Sequence, residues 1–280
     1  VVVAVRDLAG AIRSFERLGF HVEPGGRHPG FGTANALIQL DNGYIELLAV
    51  EDADVAREAG VRRRELVEYL ETREGGLVGY AFNCGDLDAV RRRGGRVNPR
   101  LDEPPLPMSR TRPDGSTIRW RLLVPGGSTW CRPWPFLIEW DTADGPFQPR
   151  DPRPHANGAT VIAGISVGAR SIADVESFYR DGLSLALQIS PRDDAVAPQP
   201  AVEVDGCRIE FTEVPAPPSP GPLSTSVVGE GITELLIRVG DLEAVRRLLA
   251  ARGIAAVADA ARRLDVRPDD AAGARLAFVA

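Results

Sequence analysis

The chain has 280 residues, 44% hydrophobic and 26% charged, the make-up of an ordinary globular protein with room for about two domains. Its net charge of −6 argues against nucleic acid as the main partner. No run of about 18 apolar residues offers a membrane span.

All the positive charge is arginine, a bias that reflects genome composition more readily than function. Cys84, Cys131 and Cys207 are scattered, odd in number and without a CxxC spacing. That pattern predicts free thiols in a reducing cytoplasm and offers no cysteine zinc site. No signal-peptide pattern opens the chain. It starts without Met on Val1-Val2-Val3-Ala4-Val5, already mid-strand, so residues before Val1 are expected to continue that strand.

Residues 1–5 predict a strand, and residues 7–18 a helix with Leu8, Ile12, Phe15 and Leu18 on one face, stopped by Gly19. Short strands follow at 20–22 and 33–40, then a tight Asp41-Asn42-Gly43 turn into a strand at 44–50. The unit is β-α-β-β-β. Residues 52–72 read as a helical connector. A second unit opens at 77–82, continues through a helix at 85–93 and a hairpin at 108–124 with its turn at 113–115, and ends at 136–140. Residues 142–158, rich in Pro, Asp and Gly, are the expected boundary. A third unit begins at 161–167, and its helix at 173–182 repeats the Ser-Phe-x-Arg-x-Gly of the first. A Pro-rich stretch at 215–222 precedes the fourth unit, whose Gly240-Asp241-Leu242-Glu243-Ala244-Val245 is close to Gly85-Asp86-Leu87-Asp88-Ala89-Val90.

The units therefore follow an A-B-A′-B′ order, a duplicated pair. The expectation is an α+β fold of four βαβββ units: a first domain at 1–141, a linker at 142–158 and a second, degenerate domain at 159–280.

The last strands carry a recurring phrase: Tyr44-Ile45-Glu46-Leu47, Leu137-Ile138-Glu139-Trp140 and Arg208-Ile209-Glu210-Phe211, with the acid absent from Arg275-Leu276-Ala277-Phe278. A carboxylate inside an apolar strand is costly unless it is paired, hydrogen-bonded or bound to a cation. Glu46 and Glu139 are accordingly expected to face one hollow. The alternative is that strand alternation turns one or both outward, to pair with an arginine such as Arg119 or Arg121.

This chain of βαβββ units resembles the vicinal oxygen chelate superfamily, which includes glyoxalase I, extradiol dioxygenases and bleomycin-resistance proteins. The stretch from Gly25 to Asn35, with His28 among its glycines, together with Tyr44-Ile45-Glu46-Leu47, is similar to the glyoxalase-like domain proteins of that superfamily. The resemblance implies cupped mixed sheets and a divalent metal (Zn, Mn, Fe, Ni or Mg) held by first-strand and last-strand side chains. No nucleotide cofactor is implied. Carried over, the metal ligands would be Glu46 and Glu139, with His28 assisting. The first-strand ligand of unit one would precede Val1, and unit two has the mute Gly79 in that place.

Glu139 and His28 are the candidate catalytic residues, Glu139 as proton shuttle and His28 as base or ligand. Asn35, Arg110, Trp120, Arg121 and Trp140 are the candidate substrate contacts, although Asn35 could equally cap a strand. Arg110 with Arg112, or Arg119 with Arg121, would offer a carboxylate a bidentate partner. Trp120, Trp130, Trp134, Phe136 and Trp140 suit either an apolar pocket or a core. His155 reads as a linker histidine. Glu210 and Glu234 suggest a structural or dimer-forming second half. The resulting expectation is a cytoplasmic, metal-dependent enzyme of lyase, isomerase or dioxygenase type acting on a small oxygenated molecule, with a homodimer compatible. The rival is a metal-free protein that sequesters an aromatic compound, as bleomycin-resistance relatives do.

Overall fold

The computed structural model describes residues 1–112, 114–127, 130–141, 153–190, 199–215, 229–258 and 262–280. The expected linkers at 142–158 and 215–222 and the turn residue Pro113 fall wholly or largely outside them.

The first half runs β1 (Val2–Val5), α1 (Leu8–Arg17), β2 (Glu23–His28), β3 (Thr33–Leu40), β4 (Gly43–Val50), α2 (Ala53–Glu58), α3 (Val61–Thr72), β5 (Gly75–Gly79), β6 (Ala81–Asn83), α4 (Leu87–Gly94), β7 (Leu106–Thr111), β8 (Thr117–Leu123) and β9 (Phe136–Trp140). The second runs β10 (Ala159–Ala169), α5 (Ile172–Ser177), β11 (Gln188–Ser190), β12 (Gln199–Val204), β13 (Cys207–Glu213), β14 (Gly231–Val239), α6 (Leu242–Ala251), β15 (Ala256–Ala258), β16 (Arg263–Val266) and β17 (Leu276–Val279). None of the described helices is long and apolar enough to cross a membrane.

Local chemistry accounts for the helices. Phe15 and Leu18 are fully buried, and Leu8 and Ile12 pack against the same core, as the spacing predicted. Gly19 ends the helix at a φ of +93°. Asp52, Asp86, Ser171 and Asp241 cap α2, α4, α5 and α6 by accepting first-turn N–H groups. The connector at 52–72 breaks into two helices at Gly60, whose φ of +112° favours glycine.

The strands form two mixed sheets. The first has nine strands in the order β5-β1-β4-β3-β2-β7-β8-β9-β6. Its two ends, β5 and β6, are consecutive pieces of one segment interrupted at Tyr80, so the sheet curls until its ends meet as a barrel. Val2, Leu48, Met108, Leu122, Phe136 and Ile138 cluster inside, and Leu66 and Leu70 of α3 join them. The second sheet has eight strands, β11-β12-β13-β10-β14-β17-β16-β15, joined at its centre where β10 meets β14 antiparallel. Its ends lie on different units, so it stays an open trough. One continuous core links the two halves, from Phe15 and Leu47 to Phe211 and Phe278.

The barrel has one narrow seam. β2 and β7 meet through the single pairing of Arg27 with Thr111. Gly26 makes this approach feasible: its φ is +138°, and a Cβ there would stand 2.0 Å from the Thr111 carbonyl oxygen. Gly26→Ala is therefore expected to open the seam and cost at least about 2 kcal/mol of stability. An unchanged urea midpoint would refute this reading of the seam.

Candidate functional site

Alternation along the barrel strands decides which candidates meet. His28, Asn35, Glu46, Arg110, Trp120 and Trp140 all line one interior pocket, together with Tyr44, Arg63, Trp130 and Phe136. The β7–β8 register pairs Met108 with Trp120 and Arg110 with Ile118, carrying Arg110 inward and leaving Arg119 and Arg121 on the outer face.

Glu139 is not in this pocket. The expectation that Glu46 and Glu139 face one hollow is overturned. Glu139 lies on the helix-facing side of β9, where its Oε2 accepts from Arg121 Nη2 at 2.5 Å and from the Leu87 N–H at 3.4 Å. Arg121 also reaches Asp88 at 2.9 Å. Arg121 thus serves α4 and the outer sheet, and the shared metal site expected of Glu46 and Glu139 cannot form. The cause is a shift of phase. Val3 and Phe82 hold the same place before their helix caps Asp7 and Asp86. Val3 pairs with Leu47, and Phe82 with Leu137. The counterpart of Glu46 in unit two is therefore Phe136, and Glu139 corresponds to Ala49. Glu210 is the true counterpart in unit three, because Val167 before cap Ser171 pairs with Phe211.

Inside the barrel the polar groups form a short chain. Arg110 Nη1 donates to Asn35 Oδ1 at 3.2 Å, and Asn35 Nδ2 donates to Glu46 Oε1 at 2.5 Å. Asn35 is thus the hinge between the cation and the acid. Arg110 Nε is shielded from solvent and has no hydrogen-bond partner. Burial lowers the pKa of the Arg110 guanidinium, although Glu46 and Tyr44 pull it back up. His28 is 6% exposed, and its Nδ1 lies 3.0 Å from Thr33 Oγ1. Burial brings its pKa down to about 4 against the pull of Glu46, with Arg63 and Arg110 adding repulsion, so its ring is neutral at pH 7. Trp120 stacks at a tilt on Trp140, centroids 5.2 Å apart, and meets the His28 ring edge-on at 6.2 Å.

The pocket continues into a cavity of about 550 Å³ at the barrel mouth, which shares Tyr44, Glu46, Phe136, Ile138 and Trp140 with it. The far wall comes from the second half, with Ile162, Ile165, Asp205 and Cys207. The Asp41-Asn42-Gly43 turn docks there: Asn42 Oδ1 accepts from the Ile162 N–H at 2.9 Å, and Asn42 Nδ2 donates to the Ile162 and Asp205 carbonyls. This is a volume suited to a small organic molecule.

The remaining candidates have structural places. Trp134 packs on Phe178 in the core between the halves. His155 Nε2 donates to the Gln39 carbonyl at 2.7 Å while its Nδ1 accepts from the His21 N–H, so it staples the second half's approach to unit one. In the second trough Glu210 and Glu234 flank Ser166 on neighbouring strands, but Arg208 holds the first at 2.8 Å and Arg263 the second at 2.7 Å. The sequence reading missed Arg63. The signal was present: Arg63, Leu66, Val67 and Leu70 make the buried face of α3, and one of them is an arginine.

A divalent metal needs several hard or borderline donors converging on one point. Among the described residues no three His, Cys, Asp or Glu side chains gather to hold an ion. Glu46 is the pocket's carboxylate, Asn35 occupies its Oε1, and the other charged side chains lining it are guanidiniums. Among the described residues these donors alone do not make a divalent site, and the first-strand ligand that the resemblance implies would precede Val1.

Comparison with known proteins agrees with the architecture. A search of curated proteins finds no match. Over 99% of its length the chain is similar to a hypothetical protein from Staphylococcus aureus, covering 96% of that chain at 16% identity and a TM-score of 0.64. It is similar to a triple mutant of 4-hydroxymandelate synthase from Streptomyces coelicolor at 16% identity, covering 99% of this chain and 90% of that one at a TM-score of 0.55. It also matches a fusion of a xylose isomerase-like TIM barrel with 4-hydroxyphenylpyruvate dioxygenase, at 14% identity and a TM-score of 0.56, over 99% of this chain and 47% of that one. At these identities the likeness is one of fold. The family model described as glyoxalase-like domain matches residues 1–182, which include the whole barrel with Glu46, Asn35 and Arg110, and the chain belongs to that family.

Proposed function

We propose that the first-half barrel binds a small oxygenated organic molecule with a planar or aromatic body and moves a proton on it through Glu46, in isomerase- or lyase-type chemistry. The observation that carries this reading is the Arg110–Asn35–Glu46 chain, set in an aromatic pocket that opens into the 550 Å³ cavity. Asn35 orients one carboxylate oxygen and leaves the other to accept a proton from a carbon next to a carbonyl. The Arg110 guanidinium, which lines the pocket and donates to Asn35, stabilises the oxyanion that forms as that proton leaves. The Trp120–Trp140 pair holds the planar part, and the second half restricts water at the mouth. His28, neutral and tied to Thr33, shapes the wall.

In the superfamily that the chain resembles, a divalent metal polarises neighbouring substrate oxygens. In this reading Arg110 takes that electrostatic task at Glu46. The three free thiols suit a reducing compartment. A second reading, sequestration without turnover, draws support from the aromatic lining.

One experiment separates them. A panel of aromatic and aliphatic 2-oxo acids is titrated by tryptophan fluorescence, and solvent-deuterium exchange at the carbon beside the carbonyl is followed by NMR. The enzyme reading expects binding, accelerated exchange, a loss of at least about 100-fold in that exchange for Glu46→Gln, and unchanged behaviour for Glu139→Gln. Binding without acceleration means sequestration. A wild-type protein that binds none of the panel, or a Glu139→Gln variant as damaged as Glu46→Gln, overturns the site.

A further inference from the structure

Many arginines pair with an acid among the described residues: Arg6 with Glu74, Arg57 with Glu71, Arg121 with Glu139, Arg208 with Glu210, Arg263 with Glu234. Two neighbours at the start of α3 depart from the habit. Arg63 is 8% exposed, and its Nε is buried without a hydrogen-bond partner. Its guanidinium lies over the Phe31 ring, 5.0 Å from the centroid. Arg62 is half-buried, and its Nη1 is likewise shielded and unpartnered. Among the described residues neither makes an ion pair. Each guanidinium thus has one nitrogen withdrawn from water without an acceptor, which is costly.

Both side chains line a cavity of about 220 Å³, separate from the barrel mouth, with Phe31, Gly60, Glu103 and Leu106 among its walls. The cavity sits at the first turn of α3, a helix of 12 residues. Gly60 is its N-cap and supplies no side-chain oxygen, so the first-turn N–H groups have no side-chain cap. Trp130 Nε1 donates to the Arg62 carbonyl at 2.7 Å and fixes the turn in place. The positive end of the helix and two guanidiniums thus converge on one hollow. Glu103 lines it and Glu65 lies one turn along α3, and both draw on Arg62. Burial and the repulsion from Arg62 bring the Arg63 pKa down to about 10, against the pull of Glu46.

We propose that this hollow at residues 60–63 is a binding site for a phosphoryl oxyanion. A tetrahedral dianion has enough acceptor oxygens for the helix N–H groups and both guanidiniums together, and its charge offsets theirs. The volume equals that of roughly seven waters at about 30 Å³ each, ample for such an anion. The hollow shares no wall with the barrel mouth, while Arg63 stands between it and the Glu46 pocket.

The test is a calorimetric titration of the whole protein with inorganic phosphate at pH 7 and matched ionic strength, repeated as a thermal melt. Wild type is expected to bind phosphate with millimolar or tighter affinity and to melt higher in its presence. Arg62→Gln, a half-buried position that folding tolerates, should weaken binding at least tenfold, and Arg63→Gln by more. Glu103→Gln should tighten it severalfold, and Glu46→Gln, which removes a second acid acting on Arg63, should not weaken it. The proposal is overturned if wild type shows no phosphate heat, if sodium chloride at equal ionic strength gives the same rise in melting temperature, or if Arg62→Gln binds as wild type does.

Discussion

Tyr179→Ala is expected to cost about 3–5 kcal/mol of stability, among the largest effects of any single substitution in this chain. The ring is fully buried where the two halves meet. It touches Phe82, Phe178 and Phe211 at centroid distances of 6.2, 5.8 and 5.2 Å, so its loss empties the centre of a cluster that draws on both sheets. The hydroxyl adds a directional effect. Tyr80 Oη donates to the Pro133 carbonyl at 2.6 Å and lies 2.8 Å from Tyr179 Oη. With the Tyr80 proton committed to Pro133, Tyr179 is the donor in the pair. Tyr80→Phe then leaves two buried groups unpaired, the Tyr179 O–H and the Pro133 carbonyl, while Tyr179→Phe leaves only a spare acceptor site on Tyr80. The first should cost about 2–3 kcal/mol and the second about 1 kcal/mol. Urea unfolding of the three variants measures this. A Tyr179→Ala loss below about 1 kcal/mol, or the two phenylalanine variants ranked the other way, would contradict the geometry.

The second large effect is acid destabilisation through His28. Its pKa is about 4 in the folded barrel, against an ordinary 6.5 in the unfolded chain. Below pH 6.5 the unfolded chain takes up a proton that the folded one refuses, so stability falls as pH drops from about 6.5 to about 4 and levels off below that. A shift of that size corresponds to about 3 kcal/mol in full. Burial is the leading cause, and the guanidiniums of Arg63 and Arg110 add to it, so the effect belongs to the assembled barrel. Between pH 7 and pH 4.5 the wild type should lose about 2–3 kcal/mol more than His28→Gln. The comparison cancels the surface carboxylates that titrate in the same window. Equal losses in the two proteins would mean that His28 is solvated.

The same guanidiniums connect stability with the proposed chemistry. An interior that holds Arg63 and Arg110 against Glu46 alone carries a local excess of positive charge. That excess keeps His28 neutral and welcomes an oxyanion, whether it forms on a substrate at Arg110 or arrives as a phosphoryl group at Arg62 and Arg63. Arg110 and Asn35 belong to one constellation, and their effects on binding should not add independently.

The repeated unit, its helices and the place of unit one's acid were legible from residue order. The helices after Asp7 and Asp86 announce themselves because a periodic apolar face is a local property. His28, Asn35 and Glu46 could be gathered in advance because a glycine-rich loop, a strand and a tight turn bring neighbouring segments together within one unit. Residue order offered Arg110, Trp120 and Trp140 together with Arg121 and Glu139, the strand neighbours of the two tryptophans, and only the register separated the inward from the outward ones.

The inward or outward sense of β9 was not legible. Its strand is buried on both sides, by the pocket on one and by α4 on the other, so it reads as a continuous apolar run without the alternation that would disclose its phase. Ile45-Glu46 and Ile138-Glu139 look alike as text, yet the parallel pairings of β1 with β4 and of β6 with β9 place them three positions apart in the repeat and on opposite faces. What the residue order determined by itself is the unit and its duplication, since these rest on short-range chemistry. What only the tertiary structure decided is which polar side chains share water-poor space: Arg63 entering from α3, Glu139 leaving toward Arg121, and the second half walling the mouth. Strand register across the sheet and the docking of distant segments set those meetings, and neither is encoded in the spacing of any one stretch.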